Sequence, residues 1–184
     1  MLSLDDQRWK DLNHRNWING AASHWSPDAP FVPDELKQLF KNPSDIERFH
    51  NLWPYLCSEG TAWPAAYAAV PHIVELAKQV PPGQRFEYLY FIGLVVMCTE
   101  DASEIRPELV ESYDNALREA LPLLNETLLC RHGTMDTRYL LAAVAALKGH
   151  PKLANVLNDM DCISEDCPKC GESVYPQELQ DAAQ

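Results

Sequence analysis

The chain has little of what a sheet, a membrane span or a common catalytic motif requires. Apolar and polar residues never alternate with period two for long, and every long apolar run has helix length, so no strand is expected. The longest such run, Phe86 to Cys98, is shorter than the roughly 20 residues that span a bilayer. HExxH, a Gly-rich phosphate loop, a GxSxG elbow and an EF-hand loop are all missing, and the chain is expected not to be an enzyme. Positive charge is scarce: 15 Lys and Arg stand against 27 Asp and Glu, for a net charge of −12. That balance disfavours nucleic acid and anionic membranes, both polyanions, and suits a basic protein partner. Met1-Leu2-Ser3-Leu4-Asp5-Asp6 starts acidic without an apolar run behind it, unlike a secretory signal. Cys57, Cys98 and Cys130 read as single cysteines in apolar helical contexts, and the other three crowd together near the C-terminus. No disulfide framework results, and the expected compartment is the reducing cytoplasm.

What is present is helix. The stretch Gly60 to Cys98 holds two apolar helical patterns, separated by Gln79-Val80-Pro81-Pro82-Gly83-Gln84. The second is apolar almost throughout, the exceptions being Glu87 and Gly93, and a helix apolar all round must be covered on all sides. The remaining chain is expected to be that cover. Asp5 to Trp17 reads as a helix with Trp9 and Leu12 on one side, continued by an arm from Asn19 to Phe31. Three tryptophans here imply packing on the helical body, the alternative being a surface for a partner. Pro33-Asp34-Glu35 opens a short helix that Asn42-Pro43 ends. Ser44 to Glu47 reads as a capping box, and Gly60 as the left-handed cap closing that helix. Pro64 fits a first turn, while Pro71 and Pro122 should bend their helices. Thr134 or Asp136 caps a further helix that Gly149 ends, and Pro151 starts a last short one. The expected pairs are 44–58 with 61–79, 84–100 with 103–121, and 134–148 with 151–158. Their starts at Ser44 and Gln84 lie about 40 residues apart, a period suited to two-helix repeats.

The run Gly60-Thr61-Ala62-Trp63-Pro64 through Tyr67-Ala68-Ala69-Val70-Pro71-His72-Ile73-Val74-Glu75-Leu76 resembles the HEAT-like repeat segment of small bacterial proteins, and Tyr139 to Gly149 looks like a second repeat of that group. The resemblance, over roughly residues 44 to 171, implies an all-α chain, an α-α superhelix of HEAT/armadillo-like antiparallel helix pairs with a small cysteine-containing tail. Residues 1–160 would be the helical domain, 1–43 packing on it, and 161–184 an acidic tail. It implies a binding role and names no catalytic residues. Some relatives of this type act as immunity proteins beside toxins. Others are DNA glycosylases, but those need a basic groove that this chain lacks.

Cys167-Pro168-Lys169-Cys170-Gly171 has the form of a zinc knuckle, with Cys162 as a third ligand. The fourth would come from His132, His150, Asp161 or a second chain, the last making a homo-oligomer. Such zinc would be structural, and the metal content of protein purified without chelator decides it. A redox reading of Cys167 and Cys170 is disfavoured, since the thioredoxin-type motif belongs to a mixed sheet. His72 and Glu75, one turn apart, could ligate a metal or exchange protons in a hydrolase, but a packed histidine is the commoner case. Glu100, Asp101, Glu104, Glu108, Glu111 and Asp114 form an acidic run opposed by Arg106, with a second acidic patch from Asp159 to Asp181. These are the expected docking surface for a cationic protein.

Overall fold

The structure, a computed structural model, describes residues 1–12, 30–58, 60–98 and 105–160, and the strand residues 165–166 and 173–174. The described residues are mainly helical. The helices are α1 (Trp9–Leu12), α2 (Val32–Lys41), α3 (Ile46–Leu52), α4 (Pro64–Gln79), α5 (Phe86–Met97), α6 (Pro107–Leu128), α7 (Thr134–Leu147) and α8 (Pro151–Asn158). The expectation of no strand needs correcting. Cys57–Ser58 (β1) pairs antiparallel with Thr61–Ala62 (β2), and Glu165–Asp166 (β3) with Ser173–Val174 (β4). Each strand has two residues, too few to form a sheet that stands alone.

Local chemistry sets most boundaries. Proline occupies the first turn of α2, α4, α6 and α8, where its missing N–H leaves no bond unmade. The capping box at Ser44 is not used. Asp45 is the N-cap of α3, and its carboxylate accepts from the Arg48 N–H at 3.1 Å. The helix expected over 44–58 stops early: Pro54 has no N–H to donate to the preceding turn, and the chain tightens there although Trp53 keeps α-region angles (φ −50°, ψ −50°). A 3₁₀ turn at Trp53–Tyr55 follows, then the β1–β2 hairpin. Gly60 is left-handed as expected, with φ +76°, but at the tip of this hairpin rather than at a helix end. Pro71 and Pro122 sit inside α4 and α6, which run on past both.

α5 is the enclosed centre. Tyr88, Leu89, Phe91, Ile92, Gly93, Val95 and Met97 are all buried, and α4, α6, α7 and α8 each pack against the helix. On the α3 side Phe49 fills an aromatic pocket, its ring 4.6 Å from Tyr88, 5.4 Å from Phe91 and 5.9 Å from Trp53. On the α7 side the helices almost touch. A Cβ on Gly93 would lie 2.5 Å from the Ala143 Cβ and 2.6 Å from its Cα. Neighbour relations repeat through the body: α4 packs on α6 and α5 on α7, while successive helices from α4 to α8 also touch.

The N-terminal segment is anchored to α4. Trp9 is fully buried, and its indole N–H donates to the Ser3 carbonyl at 2.9 Å. Leu12 is buried beside it, and Lys37 of α2 pairs with Asp5 at 2.8 Å. Trp17, Trp25 and the arm from Asn19 to Ala29 lie outside the described residues.

Candidate functional site

α6 carries its charge on one side. Leu109, Tyr113, Ala116, Ala120, Leu124 and Thr127 form its buried stripe, and helical geometry places Glu108, Glu111, Asp114, Glu119 and Glu126 away from it. All five carboxylates are exposed. Their partners differ along the helix. Glu119 meets Lys78 of α4 at 2.6 Å, and Lys78 also holds Glu75 at 2.6 Å. Glu126 meets Arg85, just before α5, at 2.7 Å. Arg8 lies close enough to Glu108 to feel its charge. Glu111 and Asp114 have no ion pair among the described residues; Arg106 donates to the Asp11 carbonyl at 3.2 Å, and Arg118, one turn beyond Asp114, donates to the Asn115 side-chain oxygen. A cleft of about 210 Å³ between α4 and α6 continues this surface, lined in part by Glu75, Ser112, Asn115 and Glu119. Glu100, Asp101 and Glu104 lie outside the described residues, as do Asp161, Glu172, Glu178 and Asp181 of the second acidic patch, whereas Asp159 follows α8 and Glu165–Asp166 form β3.

His72, the other residue singled out for chemistry, is a clamp on the N-terminal segment. It is 3% exposed, its Nε2–H donates to the Leu2 carbonyl at 2.8 Å, and the rings of Trp9 and Phe40 lie 6.1 and 6.2 Å away. Burial pushes its pKa below the ordinary 6.5; the Leu2 bond and Glu75 partly oppose this, while the N-terminal amine adds to it. The neutral ring therefore belongs to the fold. Above pH 6.5 both states are neutral and the full stability is present. Below it the unfolded chain takes up a proton that the folded chain excludes, so stability falls until the lower folded pKa is passed. His72→Gln, which keeps a donor for Leu2 without titrating, is expected to flatten this loss. Urea unfolding at pH 7, 6 and 5 checks it; equal pH slopes for both proteins would show that His72 does not carry the effect.

Among the described residues no cluster of three or more His, Cys, Asp or Glu is arranged to hold a metal. Cys162, Cys167 and Cys170 lie outside the described residues. The antiparallel pair β3–β4 flanks two of them in sequence: Cys167 and Cys170 fall between Asp166 and Ser173, which pair, while Cys162 precedes β3. One juxtaposition was missed from the sequence. Cys57 lies in β1, not a helix, and Cys98 follows α5; their sulfurs stand 3.1 Å apart. The signal was the spacing. Cys57 and Cys98, Lys78 and Glu119, and Arg85 and Glu126 are each 41 positions apart.

The chain matches no protein-family model, no curated protein and no solved structure. No helix among the described residues is long and apolar enough to cross a membrane.

Proposed function

We propose that this chain is a non-enzymatic, HEAT-like stack of helix pairs that binds a cationic protein through the N-terminal half of α6. Support for the stack comes from the 41-residue offset shared by three links and from the α4–α6 and α5–α7 packing. The observation that carries the binding reading is the uneven neutralisation of α6. Lys78 and Arg85 answer Glu119 and Glu126, while Glu111 and Asp114 face solvent without an ion pair among the described residues. Uncompensated carboxylates on a rigid helix attract a basic surface, speed its approach and reject acidic competitors. An immunity protein holding a basic toxin is one pairing of this kind, in keeping with the family that Gly60 to Leu76 resembles.

The immobilised protein and its E111K/D114K variant are compared on lysate of the source cells at low salt. A specific protein of high isoelectric point is expected on the wild type and at least tenfold less on the variant, a change of about 1.4 kcal/mol or more. Equal recovery on both would place the contact elsewhere.

A further inference from the structure

We propose that Cys57 and Cys98 form a reversible dithiol–disulfide site, oxidised by small-molecule disulfides, whose closure bonds the β1–β2 hairpin to the C-terminal end of α5. The site does not depend on the binding reading of α6. Both cysteines are free thiols, brought together from 41 positions apart with their sulfurs at 3.1 Å. That is inside the ~3.5–4.0 Å of ordinary nonbonded contact and about 1 Å from the ~2.0 Å of a disulfide. It does not suit a metal. Two thiolates on one tetrahedral zinc, each at ~2.3 Å, would stand roughly 3.8 Å apart, and no third ligating side chain joins them among the described residues.

The surroundings favour one thiolate at a time. The bond between the two sulfurs pushes the Cys57 pKa up and brings that of Cys98 down. The first proton lost therefore leaves a Cys98 thiolate held by the Cys57 S–H. Tyr67 lies within electrostatic reach: burial pushes its pKa up to about 12, and the charge of Cys98 and Cys57 adds to this. Its hydroxyl is buried without a hydrogen-bond partner among the described residues, as is that of Tyr113, whose ring lies 5.3 Å from the Tyr67 ring. Cys98 is itself buried, so a reagent reaches its sulfur past Cys57, which is half-buried rather than sealed.

The exchange balances without further reagents. The Cys98 thiolate attacks one sulfur of the external disulfide; that S–S bond breaks and the other half leaves as a thiolate. Cys57 then attacks the Cys98 sulfur of the mixed disulfide, gives its proton to the departing thiolate, and releases the second half as a thiol. Two cysteine thiols are oxidised by two electrons, and one disulfide is reduced to two thiols. A thiol in excess runs the same steps backward.

The full-length protein is equilibrated with oxidised and reduced glutathione in varying ratio, alkylated, and mapped by mass spectrometry. A Cys57–Cys98 cross-linked peptide is expected. With it the melting temperature rises by roughly 10 °C, since the bond closes a long loop, and dithiothreitol reverses both changes. C98S and C57A, either of which suffices if the other fails to fold, are expected to show neither the cross-link nor the rise. Recovery of both cysteines alkylated, or as separate glutathione adducts, in excess oxidised glutathione would overturn the proposal. So would a cross-link that leaves the melting temperature unchanged.

Discussion

Replacing Gly93 by alanine is expected to lower the melting temperature by roughly 5–10 °C, although alanine is the better helix former. In an open helix the exchange would stabilise by up to about 1 kcal/mol. Here the new methyl would sit 2.5 Å from the Ala143 Cβ and 2.6 Å from its Cα. The second of these approaches decides the sign, because a backbone carbon cannot rotate away and α7 would have to shift as a unit. Overpacking of this kind costs about 1–3 kcal/mol or more, and a domain of this size loses roughly 2–4 °C per kcal/mol. Adding A143G should recover only part of the loss, since the clash with the α7 backbone persists. A G93A variant as stable as the wild type in thermal and urea unfolding would mean that α5 and α7 are not pressed together at this point.

Phe49→Ala should cost about as much or more, roughly 3–5 kcal/mol. The ring is fully buried and packs on Tyr88 and Phe91 of α5 at 4.6 and 5.4 Å. Removing it leaves a cavity between α3 and the central helix, and Tyr88 cannot simply fall into the space. Its hydroxyl donates to the Pro43 carbonyl at 2.6 Å, so collapse would break a second link. Phe49→Leu, which keeps most of the volume, is expected to lose clearly less. Urea midpoints for the pair check this; equal losses would show that side-chain volume at this site does not set stability.

The helical body was largely legible because its signals are local. Pro33, Pro64 and Pro151 open helices where a first-turn proline is tolerated, and the enclosure of α5 followed from the apolar run Phe86 to Cys98. Competition between neighbouring signals hid the rest. Ser44 and Asp45 are both good caps, and the chain uses Asp45. Pro54 was outweighed by the helical spacing of Phe49, Leu52 and Trp53, so β1 was read as helix. His72 could not be placed without knowing that the N-terminus returns to α4. The Cys57–Cys98 approach and the clash geometry at Gly93 are tertiary facts, set by how segments distant in sequence pack on one another. A constant offset of 41 was visible in principle, but only the structure shows which residues at that offset touch.

The central claim is that α6 meets a cationic partner through Glu111 and Asp114. The most direct measurement is the dissociation constant of the captured basic protein for wild type and E111K/D114K, read at low and moderate salt. The account predicts a wild-type affinity that weakens steeply with salt, and a variant at least tenfold weaker whose salt dependence is shallow or reversed. Equal affinities with equal salt slopes would contradict it.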